Sequence, residues 1–215
     1  SGIAHASANP PTTWSPDENV VWRTPVNGRG HSSPTVWGDH IFLTTADEGD
    51  ESLSVLCFDA VDGRLRWQRE VHRGGFMHMH AKNSHASATV ACDGEFVYAA
   101  FMVYDALWLT ALDFDGEIAW QTEVGPFRSQ HGYGSSPVLF GPLVILAADQ
   151  PGSSFLAAVH RGTGEIVWRV ARETGGSYAT PVVPHVDVHD RLLMCGHGTV
   201  DRYETVDSSL ALKRN

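Results

Sequence analysis

Histidine is the residue with the most chemistry to offer in this chain, and four of its twelve copies crowd one stretch. Between Val71 and Ser87 stand His72, His78, His80 and His85, interleaved with Met77, Met79, Lys82 and Asn83. His78 and His80 would point the same way in an extended strand, a workable chelate spacing, and with His85 they form the candidate metal set. No Asp, Glu or Cys lies in the stretch to complete it. The competing reading is a loop with partly exposed imidazoles, which a long connection of this kind favours. A second group is His31, His85, His131 and Tyr178. Each falls at or just before the start of a repeated unit, so the four could converge on a central pocket. Convergent imidazoles there would hold a metal or an anionic ligand, or would only hydrogen-bond the surrounding loops.

Other local patterns do not develop into sites. Asp113-Phe114-Asp115-Gly116-Glu117 begins like a calcium loop, but the distal Glu position falls on Val124, so it reads as a turn. Gly28-Arg29-Gly30-His31 has no following Lys-Ser/Thr and no helix, which excludes a phosphate loop. Asp47-Glu48-Gly49-Asp50-Glu51 reads as a solvated hairpin loop, and no Gly-x-Ser-x-Gly nucleophile motif occurs.

The net charge is −10 and Lys and Arg form no runs, which argues against nucleic acid and anionic membrane as partners. No apolar stretch approaches the ~18–20 residues of a membrane helix. The chain starts on Ser and shows no signal-like region. Cys57, Cys92 and Cys195 are far apart and odd in number, and read as buried thiols in strands.

What must position the histidines is a repeat. Trp22, Trp67, Trp120 and Trp168 lie 45, 53 and 48 residues apart. Three of them close one phrase: Asp62-Gly63-Arg64-Leu65-Arg66-Trp67, Asp115-Gly116-Glu117-Ile118-Ala119-Trp120 and Thr163-Gly164-Glu165-Ile166-Val167-Trp168. Gly63, Gly116 and Gly164 accept the positive φ of a tight turn, and a half-buried strand follows. An indole at a fixed distance from the turn can wedge between sheets, burying about 200 Å², on the order of 5 kcal/mol. The unit starts repeat as well: Ser32-Ser33-Pro34-Thr35-Val36, Ala86-Ser87-Ala88-Thr89-Val90, Ser135-Ser136-Pro137-Val138-Leu139 and Ala179-Thr180-Pro181-Val182-Val183. Each is predicted as a first strand lining an axis, and the unit as four short antiparallel strands, one propeller blade.

That order resembles the pyrroloquinoline-quinone-like (PQQ-like) repeat family over roughly residues 19–203. Pro11-Thr12-Thr13-Trp14-Ser15-Pro16, leading to Trp22-Arg23-Thr24-Pro25, is similar to the opening segment of planctomycete-type members. The resemblance implies an all-β, WD40-like β-propeller, in members that usually close about seven or eight blades. It implies quinoprotein dehydrogenases and non-catalytic propellers of the bacterial envelope as relatives, among them a lipoprotein of the outer-membrane barrel-insertion machinery. A periplasmic or envelope location follows from the resemblance alone. The dehydrogenases stack a quinone on a Trp, commonly under adjacent disulfide-bonded cysteines and beside a calcium ion. This chain has no adjacent cysteines.

The expected division is an extension over 1–18, a strand over 19–26, blades near 30–72, 84–125, 133–171 and 177–207, and an irregular tail over 208–215. The fourth unit lacks the Gly-x-x-x-Trp ending. Four blades would form an open arc with an apolar face at each end, inviting self-association. The expected role is a non-catalytic scaffold or protein-interaction module without a cofactor. The alternatives are a small-ligand or metal module using the axial histidines, and a fragment of a PQQ-dependent dehydrogenase.

Overall fold

The computed structural model describes residues 6–186, 189–206 and 211–214. Short strands follow one another there, and no helix occurs among the described residues. The first sheet runs β1 (Thr35–Trp37), β2 (His40–Asp47), β3 (Ser52–Asp59), β4 (Leu65–Arg73). The second runs β5 (Ala91–Cys92), β6 (Val97–Val103), β7 (Ala106–Leu112), β8 (Ile118–Pro126). The third is β9 (Val138–Phe140), β10 (Leu143–Ala148), β11 (Ser154–His160), β12 (Ile166–Arg172). The fourth is β13 (His185–Val186), β14 (His189–Cys195), β15 (Val200–Val206), β16 (Ala211–Arg214). Each is antiparallel and in chain order, the up-and-down sheet of a propeller blade.

Burial follows position in the blade. β3, β6 and β10 are buried along their whole length, as middle strands of packed sheets. The outer strands β4, β8 and β12 alternate between exposed and half-buried, matching their alternating sequences. One core joins Phe42, Val55 and Cys57 of the first blade to Val97, Ala99 and Phe101 of the second. Another joins Tyr98, Ala100 and Leu109 to Val144, Leu146 and Ala157. A third joins Ile145, Leu156 and Ala158 to Leu192, Met194 and Tyr203.

The indoles latch each blade to the turn of the next. Trp67 Nε1 donates to Phe114 O at 2.8 Å, and Trp120 Nε1 to Arg161 O at 3.0 Å. Trp22 makes the same bond to Ala60 O at 3.2 Å. Each ring lies flat against the turn glycine: a Cβ on Gly116 would fall 2.8 Å from Trp67 Cδ2, and one on Gly164 2.7 Å from Trp120 Cδ2. These glycines are therefore required twice, by φ of +85° and +76° and by the close approach of the ring. Two residues after each Trp, a side chain caps the glycine carbonyl: Thr24 Oγ1 on Gly63 at 2.6 Å, Arg69 Nε on Gly116 at 2.6 Å, Thr122 Oγ1 on Gly164 at 2.6 Å. Trp168 departs from the series. Its Nε1 is buried with no acceptor among the described residues.

Four expectations are corrected. Residues 19–26 form no strand; the segment has no ladder partner and is held through Trp22 and Thr24 instead. The first strands are shorter and start later than the repeated Ser-Pro phrase, and residues 86–90 lie outside any strand. Pro34, Pro137 and Pro181 have no N–H for a ladder, and the neighbouring amides bond across blades: Ser33 N to Thr89 Oγ1 (2.9 Å), Thr89 N to Ser136 Oγ (3.0 Å), Ser136 N to Thr180 Oγ1 (3.0 Å). Within the tail over 208–215, Ala211–Arg214 is a strand that pairs with the backbone of β15; residues 208–210 and 215 lie outside the described residues. The outward face of the first blade is not an open apolar sheet. An arm bonds along β2 through Asn27 and Arg29, Leu56 and Phe58 are buried, and the remaining cleft of about 310 Å³ is polar, lined by Thr45, Ser54, Gln68 and Glu70 among others.

Candidate functional site

The loops that precede β5, β9 and the fourth sheet meet on one surface, because their inner strands are neighbours: β1 adjoins β5, and β5 adjoins β9. Two backbone bonds and one side-chain bond fix them to one another. His80 N donates to Gln130 O at 2.9 Å, His31 N to Ala86 O at 2.9 Å, and Arg29 Nη2 to Ala81 O at 2.7 Å.

Asn83 is the hub. Its Oδ1 lies 3.3 Å from His31 Nδ1 and accepts from Ser87 Oγ at 2.6 Å, and its Nδ2 donates to His131 O. Its backbone N–H donates to His80 O at 2.9 Å. One amide side chain thus ties the loops of three successive blades together. The Lys82 N–H donates to His80 Nδ1 at 3.2 Å, so the neutral ring carries its proton on Nε2. The ring centroids of His80 and His131 are 5.6 Å apart, and those of His131 and Tyr178 6.1 Å. Tyr178 OH lies 3.3 Å from Ser129 Oγ, which accepts from His131 N at 3.2 Å. These groups surround an open cavity of about 350 Å³, lined by His80, Lys82, Asn83, His131, Gly134 and Tyr178.

The candidates from the sequence are therefore redistributed. Of the central set, His131 and Tyr178 line the cavity, and His31 reaches it through Asn83. His85 turns away and stacks on Phe76, centroids 3.9 Å apart; burial lowers its pKa. Of the metal set, His80 is in the cavity wall and His78 is exposed. Among the described residues no group of three or more His, Cys, Asp or Glu is placed to hold a metal ion. His72 lies between Phe101 and Trp108 in the core of the first two blades, and burial holds its pKa down to about 4. Asn83 stands in the His-rich stretch four residues before Ser87, and no repeat or chelate spacing marks it as a hub.

Four four-stranded sheets in chain order, latched by indoles onto glycine turns, are a recognisable construction. Residues 12–199 match the model of the PQQ-like repeat family described as outer membrane protein assembly factor BamB. The chain belongs to this family. BamB from Moraxella catarrhalis superposes with a TM-score of 0.59 at 16% identity, covering 89% of this chain and 53% of that one. A europium-containing methanol dehydrogenase gives 0.50 at 16% identity, covering 66% and 25%. A quinohemoprotein alcohol dehydrogenase from Pseudomonas putida gives 0.51 at 19% identity, covering 73% and 24%. The chain thus spans from about a quarter to about half of these structures. At such identities they share the fold with this member of the BamB-like family, and no more follows. A search of the curated proteins finds no match.

Proposed function

We propose that this BamB-like propeller chain is a non-catalytic interaction module, which presents the loop surface around Asn83 to other proteins. The observation that carries the reading is the interlock itself. Three apolar cores and three indole latches use the sheet interiors for packing, and the exposed loops collected by Asn83 are what the fold holds out. The family description, an outer-membrane assembly factor, fits a surface that binds proteins. Residues 11–25 support placing the chain among planctomycete-type members of an envelope family.

A photo-crosslinking amino acid at position 82 tests this, with the same probe at Ile118 on an outer strand as control. A discrete protein adduct from 82, lost on Asn83→Ala and absent from 118, is the expected result. Equal labelling from both positions refutes it. The dehydrogenase neighbours motivate a second measurement. Addition of pyrroloquinoline quinone and calcium is expected to leave the melting temperature unchanged; a saturable upward shift would favour the enzyme reading.

A further inference from the structure

We infer that the cavity beside Asn83 is an anion site for a carboxylate-bearing ligand, either a free organic acid or, resting on the interaction-module reading, an acidic side chain of a docked protein. The chain carries a net charge of −10, yet the six residues lining this cavity include no Asp or Glu. Eight of the chain's fifteen Lys and Arg side chains pair with a carboxylate among the described residues: Arg29, Arg64, Arg66, Arg69, Arg73, Arg128, Arg161 and Arg172. Lys82 is exposed and forms no ion pair among the described residues. An exposed cation in the wall of a cavity without Asp or Glu can accept negative charge from outside.

The lining offers further donors. His80 offers Nε2–H, because its Nδ1 already accepts from the backbone of Lys82. The Gln130 amide lies 3.3 Å from His131 Nε2; as donor there, it leaves His131 with its proton on Nδ1. Lys82 supplies the charge, and the rings of His80, His131 and Tyr178, inclined to one another at 51° and 77°, line the cavity. The loops are preorganised by Asn83, so binding need not order them. A volume of about 350 Å³ lies at the small end of the ~300–1,000 Å³ of ligand pockets, enough for a compact organic acid or one acidic side chain.

Two sources of that chemistry are separated by titrating the full chain at low ionic strength with citrate and with a penta-glutamate peptide. The readout is calorimetry. Lys82→Ala is expected to weaken binding about tenfold, the loss of one charge-assisted hydrogen bond. Arg64→Ala, which removes the same charge from an exposed site, is expected to leave it unchanged. Gly134→Val plugs the cavity without straining the chain, because its φ is ordinary and a Cβ there meets the Tyr178 ring only at 3.6 Å. It should abolish binding while the circular dichroism spectrum and melting temperature stay put. Citrate binding identifies a free organic acid as the source; peptide binding alone identifies an acidic protein segment. No heat with either probe up to about 10 mM overturns the inference, as does equal weakening by Lys82→Ala and Arg64→Ala.

Discussion

Replacing Gly116 by Ala isolates what the indole latch contributes. Gly116 holds φ +85°, which costs an alanine about 1 kcal/mol on its own. The new Cβ would also stand 2.8 Å from Trp67 Cδ2 and 3.0 Å from Cε3. Comfortable carbon contacts start near 3.5 Å, so the ring must retreat by about half an ångström. The retreat disturbs the 2.8 Å bond from Trp67 Nε1 to Phe114 O, about 1 kcal/mol, and loosens the ring's packing by about as much again. The total is about 3 kcal/mol. Gly38→Ala is the matched control: φ is +58° and nothing lies within 4 Å of the new Cβ, which leaves only the conformational cost of about 1 kcal/mol. In urea unfolding followed by far-ultraviolet circular dichroism, the difference of about 2 kcal/mol lowers the Gly116→Ala midpoint by about 1 M relative to Gly38→Ala. In a Trp67→Ala background the two alanines should cost the same. Equal midpoints for Gly116→Ala and Gly38→Ala in the otherwise native chain would refute the latch.

Three further outcomes follow from the charges. Hydrogen bonds from Arg66 and the Val61 N–H hold the Asp59 pKa down to about 2, so its stabilising contribution is complete above the unfolded value near 3.9. That contribution is lost as pH falls toward 2, and Asp59→Asn should flatten acid unfolding curves in that window. For His72, burial holds the folded pKa near 4, so below the unfolded value of about 6.5 protons bind the unfolded chain first. Stability should fall from pH 6.5 to 4, and His72→Phe should remove that slope in denaturant midpoints taken across the range. Arg172→Met strands the buried Asp149 carboxylate at a cost of about 3–5 kcal/mol. Hydrogen exchange should quicken in β14 and β15, with β6 and β7 unaffected.

The repeat was legible because tryptophan and glycine recur at fixed distance from a strand, and each has a physical job that few residues can take over. Spacing shows that Trp67 closes a unit; it does not show that the ring rests on the turn of the following unit, since Gly116 lies 49 positions away. The histidines were harder. His78, His80 and His85 share a stretch of sequence, but that stretch is not one strand, so alternation gives no side-chain direction. His85 found Phe76, and His80 found His131 on another blade. Asn83 escaped notice because its importance is all tertiary. The polar end of the first blade went against the expected apolar face, because only strand register puts Thr45, Ser54 and Glu70 in one row.

The joint between the third and fourth blades shows how the latch depends on its glycine. Trp168 keeps its place among Phe140, Val170 and the core of the third and fourth blades, but its Nε1 is buried without an acceptor among the described residues, a loss of about 1–3 kcal/mol. In the three working latches the ring lies so close to the turn that any Cβ would collide with it. The stretch Asp207-Ser208-Ser209-Leu210 lies outside the described residues, and its sequence contains no glycine. Val170 stands where Thr24, Arg69 and Thr122 cap a carbonyl, and it cannot donate. A different device holds this joint. Arg172 is fully enclosed and bonds Asp149 Oδ1 at 2.8 Å, Asp201 Oδ2 at 3.0 Å and the Tyr203 hydroxyl at 2.6 Å, spanning β12 and β15. Directional charge-assisted bonds have replaced a ring on a glycine. The two devices respond to different perturbations: the first three joints should yield to a methyl group at the turn, the fourth to loss of the guanidinium.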